Sequence, residues 1–450
     1  MSGFELAILG FVLMLGAIFL RVPIAAAMAA TGFIGTWIVH GTAAPMLAQL
    51  KTLAYDTFSS YSLSIVPLFL LMGQFATKSG MSRALFDAAA VWLGHRRGGI
   101  ALAAVGACAG FGAVCGSSLA TASTMGQVAL PEMRRHGYSG ALATGVLAAG
   151  GTLGILIPPS VILVIYAILT EQNIVKMFIA ALIPGILAAI GYMIAVSIYV
   201  RLVPDAARTI PPRSWGERWR ALIGIWPVVL IFGLVMGGIA GDWNWAQDGV
   251  QALFTPTEGA AVGAVATGLY GMWTGGLDWK GFRESVLSTA SATGMIFLIL
   301  LGAQIFNSFL AITQAPQGIA DWVSAQGFAP LTVLAAMLVL YLIFGCVMDS
   351  LSMILLTIPV FFPIIEALDF GLSAEEAAIW FGILALIVVE VGLITPPVGM
   401  NLFIIHAMAR DVPITRTYMG VLPFVLTDLV RVVILVAFPT ITLFLVRLLF

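Results

Sequence analysis

Apolar runs punctuated by short polar breaks organise the whole chain. Runs at 4–20, 23–40, 62–77, 140–169, 178–200, 221–240, 256–273, 291–310, 377–409 and 420–447 predict ten membrane spans, near the length of about 20 residues that a bilayer-crossing helix needs. Two further stretches read differently. The stretch 98–131 carries arms of about 98–111 and 119–131 around the small and hydroxylated run Gly112 to Thr124, GAVCGSSLATAST. Arms so short cannot each cross, and His95, Arg96 and Arg97 at one base face Arg134, Arg135 and His136 at the other. This is the pattern of a re-entrant hairpin that enters and leaves on one side. A second hairpin is predicted over 328–364, turning near Met348, Asp349, Ser350, Leu351 and Ser352, with Asp321, Glu366 and Asp369 at its bases and no Lys or Arg there. The more polar stretch 42–61, with Lys51 and Asp56, is expected at the membrane interface.

Two of the spans are interrupted by Pro-Pro. The run 140–169 breaks at Gly154-Ile-Leu-Ile-Pro-Pro159 and 377–409 at Gly392-Leu-Ile-Thr-Pro-Pro397. The halves also match in order at a nearly constant spacing. Ala30–Trp37 pairs with Ala266–Trp273, Ser117 with Ser350, Pro131 with Pro363, and Pro184 with Pro423. One such pair is chance, but an ordered set is a repeat. The expected division is a first repeat at 1–200, a cytoplasmic linker at 201–220 and a second repeat at 221–450. The linker holds Arg201, Arg208, Arg213, Arg218 and Arg220, which sets the cytoplasmic side by the positive-inside rule. The first hairpin then enters from the cytoplasm and the second from outside, so the repeats are inverted and both termini lie outside. Inverted repeats with broken helices are the plan of a secondary transporter, with its site near the midplane.

Composition agrees. Hydrophobic residues make up 61% and charged residues 9%, against about 25% charged in soluble domains. The net charge of −1 says nothing about partners, because the charges are segregated by loop. Glu5, with no basic region before the first run, makes 4–20 a span rather than a cleaved signal peptide. Cys108, Cys115 and Cys346 form no disulfide framework, and none of the four lysines follows a glycine, so no phosphate-binding loop of the GxxxxGK kind exists. His40, His95, His136 and His406 lack metal-ligand spacing.

The candidate chemistry is cation binding. A hydrocarbon interior offers few oxygen ligands, but a Pro-Pro break leaves carbonyls of the preceding turn unpaired, and tip hydroxyls can complete a shell. A first sodium site is expected from Gly116, Ser117, Ser118, Gly154 and Pro158, and a second from Asp349, Ser350, Ser352, Gly392, Thr395 and Pro396. Sodium is the only metal expected, as coupling ion, with no cofactor. The half-helices that begin after the tips aim their positive ends at the site, which suits a carboxylate. Ser118, Thr121, Ser160, Ser352 and Asn401 are the candidate substrate contacts. The competing reading of the Ser, Thr and Gly residues is close helix packing. Asp349 stands in the place of Gly116 at the second tip; it is a candidate for the second cation or for closing the tip. Glu390 supports the break or faces another helix, Asp428 and Arg431 pair with each other, and Thr255 with Glu258 caps a helix.

The segments GSSLATAST, LGILIPPS, FTPTEGAAVGA and GLITPPVGMNLF together resemble the large membrane subunit of TRAP (tripartite ATP-independent periplasmic) transporters of the C4-dicarboxylate/sialic-acid type. The resemblance implies an all-helical, elevator-type, ion-transporter-superfamily-like fold in the bacterial inner membrane. It implies a sodium-coupled importer of an organic acid: a dicarboxylate, keto acid, sialic or other sugar acid. The implied partners are a small four-helix membrane subunit, encoded separately because nothing precedes the first span, a periplasmic substrate-binding protein, and membrane lipid. Nucleic acid is not among them, and no enzyme activity is expected. The alternatives are a stand-alone sodium/divalent-anion symporter of similar architecture and, more remotely, a membrane enzyme.

Overall fold

The computed structural model describes residues 2–241 and 253–450; the stretch 242–252, inside the expected second repeat, lies outside the described residues. The first half holds α1 (Gly3–Phe19), α2 (Ile24–His40), α3 (Ala44–Phe58), α4 (Ile65–Lys78), α5 (Met81–Leu93), α6 (Gly99–Cys115), α7 (Ser118–Arg135), α8 (Gly140–Leu156), α9 (Val161–Leu169) and α10 (Ile174–Leu202). The second holds α11 (Trp215–Gly224), α12 (Trp226–Ala240), α13 (Pro256–Trp273), α14 (Trp279–Ile312), α15 (Ala315–Ala325), α16 (Pro330–Gly345), α17 (Ser350–Ala367), α18 (Ala374–Gly392), α19 (Met400–Met408), α20 (Ile414–Ala437) and α21 (Pro439–Leu449). No strand occurs among the described residues.

Local chemistry sets the ends. Thr255 caps α13 by accepting from the Glu258 N–H at 3.3 Å, while Glu258 accepts from the Thr255 N–H at 2.8 Å, as the sequence led us to expect. Ser373 and Glu376 repeat the device at α18. Prolines at the first positions of α12, α13, α16 and α21 sit where their missing N–H costs nothing. The helices end and restart at both expected tips, between α6 and α7 and between α16 and α17, and at both Pro-Pro sites, between α8 and α9 and between α18 and α19.

Three elements differ from the sequence reading. The run predicted at 291–310 is part of one helix that starts at Trp279, because Lys280 and Arg283 fit its first turns without stopping it. The last run is two helices, parted at Phe438 where Pro439 cannot continue the α20 ladder. Among the described residues, α10, α14, α17 and α20 are each long and apolar enough to cross a membrane, four helices, or up to seven spans if each bent pair counts as one, against the ten expected. α17 is among the four although it is a hairpin arm; its 18 residues rise about 27 Å. The bent pairs include α3 with Tyr61–Lys78, turned by 48°, and α8–α9, turned by 45°.

The halves are interlocked. α2 packs on α14, and its counterpart α13 packs on α4. The hairpin arm α7 lies against α19, and α17 against α9; α8 lies against α20, and α18 against α10. In each of these three pairs a contact between halves is answered by the same contact with roles exchanged, as in an isologous dimer interface. At the centre, α8 is buried continuously over 142–156 and α18 over 377–392. Outward faces carry bare apolar side chains such as Ile34, Ile186, Leu230, Val265, Leu287 and Val433, the surface a lipid solvent allows. The arginine-rich linker is strapped down rather than free. Ile210 N–H donates to Gly94 O at 3.2 Å, Ser139 N–H to Ala206 O at 2.9 Å, and the Arg218 guanidinium covers Trp215 at 4.9 Å.

Glycine permits the closest crossings. A Cβ on Gly32 would stand 2.7 Å from the Ile305 backbone of α14, and a Cβ on Gly420 would collide with Ala141 O of α8. Overpacking of that kind costs roughly 1–3 kcal/mol. Gly294, in the middle of α14, has no neighbour within 4 Å. We therefore expect Gly32→Ala and Gly420→Ala to lower the thermal midpoint of the detergent-purified protein by several degrees. Gly294→Ala should hold or raise it, since alanine is the better helix former.

Candidate functional site

The first tip follows from one glycine and one cap. Gly116 takes a left-handed conformation (φ 65°) after α6, and its N–H donates to Gly112 O at 3.0 Å. Ser117 is extended and caps α7, accepting from the Ala120 N–H at 3.4 Å. Behind the tip, α6 crosses the first break with backbones in contact: a Cβ on Gly112 would lie 2.7 Å from Gly154 Cα. A Cβ on Gly154 would strike the Thr121 hydroxyl and lie 2.6 Å from Ser117 O, so tip and break share one oxygen-lined contact.

The second tip repeats this with different atoms. A Cβ on Gly392 would lie 2.5 Å from Gly345 Cα, the same glycine-on-glycine crossing behind the tip. Gly399 N–H donates to Cys346 O at 3.1 Å, stitching the second break to its tip. Asp349 caps α17, accepting from the Ser352 N–H at 3.0 Å and the Ser352 hydroxyl at 2.5 Å. The Pro158–Pro159 and Pro396–Pro397 peptide bonds are both cis. Pro158 is buried whereas Pro396 is exposed, so the two breaks are not equally covered.

The tip register corrects the sequence reading by one residue. Asp349 occupies the capping position that Ser117 holds, not that of Gly116, and Ser350 corresponds to Ser118 as first helical residue. The link from Gly345 to Asp349 is one residue shorter than that from Gly112 to Ser117. The spacing of Pro131 and Pro363 already fits the shifted register.

The expected residues divide into three groups by position. Gly116, Ser117, Asp349 and Ser350 line one cavity of about 110 Å³, closed by Leu70 of α4 and Ile296 of α14. Asp349 and Ser352 also line a larger cavity of about 880 Å³, which runs past Met400 to Arg21 and Ser291. Asp349 thus stands between the two. Gly154, Gly392 and Thr395 lie behind the tips, with the Thr395 hydroxyl donating to Val391 O at 2.6 Å. Thr121, Ser160 and Asn401 are fully buried, each at 0% exposure, and so line the interior rather than a cavity wall. Asn401, from the second break, donates to Ala148 O of α8 at 3.3 Å. Among the described residues Ser160 Oγ and Asn401 Oδ1 have no hydrogen-bond partner, and Thr121 Oγ1 has none stronger than the Cys115 thiol. Buried acceptors without partners are costly, and a bound cation would satisfy them.

Two further polar groups complete the interior. Glu390, unassigned by the sequence reading, is fully buried on α18 and accepts from the Ser350 hydroxyl at 2.5 Å. The signal was available as a lone carboxylate in an apolar run. Asp428 and Arg431 pair at 2.8 Å as expected, and Tyr192 donates to Asp428 at 2.6 Å while sharing a hydrogen bond of 2.9 Å with Thr152.

Paired hairpin tips, broken helices crossing behind them and an apolar exterior define a polytopic membrane transport protein. The family model of the tripartite ATP-independent periplasmic transporter DctM component matches residues 11–441, and the chain belongs to that family. It is 36% identical over 397 residues to the C4-dicarboxylate TRAP transporter large permease protein DctM of Pseudomonas aeruginosa, covering 86% of this chain and 87% of that one. It is 31% identical to the ectoine TRAP transporter large permease protein TeaC of Halomonas elongata (96% and 97% covered). To the sialic acid TRAP transporter large permease protein SiaM of Vibrio cholerae it is 29% identical (96% of both). The crystal structure of the Alcanivorax borkumensis YdaH transporter superposes with a TM-score of 0.62 at 16% identity, over 96% of this chain and 98% of that one, and shows a shared fold.

The cap at the second tip is directly testable. Losing a carboxylate cap costs about 1 kcal/mol, whereas asparagine caps nearly as well. Asp349→Ala should speed amide hydrogen exchange over 346–352, and Asp349→Asn should leave it near that of the parent protein.

Proposed function

We propose that this chain is the large transport subunit of a sodium-coupled, binding-protein-dependent importer of an organic acid, working as an elevator. The observation that carries this reading is the set of under-partnered buried oxygens beside the first tip and break: Ser160 Oγ and Asn401 Oδ1, with no hydrogen-bond partner among the described residues, and Thr121 Oγ1, which meets only the Cys115 thiol. A hard, monovalent cation needs several oxygen ligands and no charge cluster, which suits hydroxyls, amides and freed carbonyls. Ser117, Ser118, Gly116, Gly154 and Pro158 surround the first sodium; Asp349, Ser350, Ser352, Gly392, Thr395 and Pro396 surround the second.

Sodium binding stiffens each tip against its break, and the acid then binds beside the ordered tips. The volume of about 110 Å³ between the tips equals three or four waters at ~30 Å³ each, room for one acid group. The cavity of about 880 Å³ is in the range of small-molecule sites, roughly 300–1,000 Å³, and takes the rest of the substrate. Arg21 on its wall makes no ion pair among the described residues and offers an anion a counter-charge. The exchanged contacts between halves support inverted repeats. In the mechanism the hairpins and broken helices move as one body against α2, α4, α13 and α14, carrying ions and acid together.

The family supports the remaining parts, a small four-helix membrane subunit beside the scaffold, a periplasmic binding protein delivering substrate and an inner-membrane setting, while the arginine-rich linker 201–220 supports an orientation with both termini periplasmic. Relatives named for dicarboxylate, sialic acid and ectoine support a small charged metabolite as cargo without selecting one.

The test is uptake into proteoliposomes containing all three components. Accumulation should require an inward sodium gradient and the binding protein. Thr121→Val and Ser160→Ala should each raise the half-saturating sodium concentration about tenfold, the effect of ~1.4 kcal/mol. Uptake indifferent to sodium would refute the coupling, and uptake by this chain alone would favour a stand-alone symporter.

A further inference from the structure

Ser118 and Ser350 are the first residues of half-helices that come from opposite halves of the chain. Both are buried, and both face one side chain. Glu390 Oε1 accepts from the Ser350 hydroxyl at 2.5 Å, and Ser118 interacts with the same carboxylate. Glu390 has 0% exposure, and its Oε2 has no hydrogen-bond partner. It stands on α18, with its backbone two residues before Gly392, where α16 crosses the second break. The side chain therefore reaches the first tip from a backbone anchored behind the second. Each half-helix N-terminus presents roughly half a positive charge, so this carboxylate is the anion the two share. Among the described residues, the other charged group that bears on it is Asp428, from α20.

We propose that Glu390 is the positioning residue that makes the two tips respond as one. The inference rests on the sodium-coupled reading above. Ordering either tip fixes its serine, the serine fixes the carboxylate, and the carboxylate presents an oriented acceptor to the other serine. A cation bound at one tip-break pair thus prepares the second pair, which is positive coupling between two sites. A carboxylate serving only to fill the interior would leave the two sites independent.

The experiment uses the full chain in detergent with sodium chloride as the only ligand. The thermal midpoint is followed against sodium concentration, with choline chloride keeping ionic strength constant, and sodium-dependent uptake with the partner subunits is measured in parallel. The parent protein should show a cooperative sodium response. Glu390→Gln should make that response non-cooperative and raise the half-saturating sodium about tenfold. Ser118→Ala and Ser350→Ala should likewise make the response non-cooperative, and adding either to Glu390→Gln should change the degree of cooperativity no further, because all three remove one shared link. If Glu390→Gln fails to fold, the serine variants carry the test. Cooperativity kept in Glu390→Gln, or kept in either serine variant, would overturn the bridge while leaving sodium coupling intact. A parent protein without any sodium response would overturn both.

Discussion

A peptide group inside hydrocarbon has no water to bond, and each one left unpaired costs several kcal/mol. Every feature of this molecule that departs from simple helix is governed by that penalty. The tips at Gly116 and Asp349 and the breaks at Pro158 and Pro396 free carbonyls that a continuous helix would have bound. Such backbone survives only under protein cover or against a water-filled cavity, and neither half supplies enough cover alone. The tip and break of each half are therefore pressed together through glycine, Gly112 on Gly154 and Gly345 on Gly392, and roofed by helices of the other half. A side chain at any of these four positions would separate groups that must touch.

The same economy orders the charges. Ion pairs at the rim, such as Lys176 with Glu375 and Arg447 with Glu376, have half-exposed partners and contribute about 0–1 kcal/mol each. The interior charges cannot be treated so lightly, since removing one partner of a buried pair costs roughly 3–5 kcal/mol. Asp428 is held by Arg431 and Tyr192, and Tyr192 by Thr152, two residues before Gly154. Among the described residues Glu390 has no cationic partner and is held by the hydroxyls of Ser350 and Ser118. A carboxylate kept on such terms belongs to working parts rather than to the frame.

Much of the fold was legible because its departures from helix are written in local chemistry. Pro-Pro after glycine, hydroxyl-rich tips and arginine at the linker act within a few residues, and each lies where the chain bends or caps. The capping box at Thr255 and the Asp428–Arg431 pair were legible for the same reason. The rest depends on contacts between distant residues. Asp349 looked like a replacement for Gly116 because the shorter link after Gly345 shows in the sequence only through the spacing of Pro131 and Pro363, and becomes plain once α17 is seen to start at Ser350. Thr121, Ser160 and Asn401 looked like cavity residues, and only the crossing of α8 with α19 and α20 shows them enclosed. Glu390 was visible as a charge out of place, but its two serines come from segments more than 200 residues apart. The start of α14 was missed because lysine and arginine near a helix end mark a membrane boundary, not a helix boundary.

The exchanged contacts between halves also bear on how the protein is made. Asn401 bonds to Ala148 across 253 residues of sequence, and Gly145 waits for Gly420 of the last segment to cover it. A ribosome that has released the first ten helices has therefore delivered no finished unit. Its glycine faces and tip carbonyls stand open to lipid until translation supplies the mates, α14 for α2 and α19 for α7. Assembly of the membrane-inserted chain is thus a late, nearly simultaneous closure of two halves, and the period before it is when the nascent protein most depends on the insertion machinery and on protection from membrane proteases.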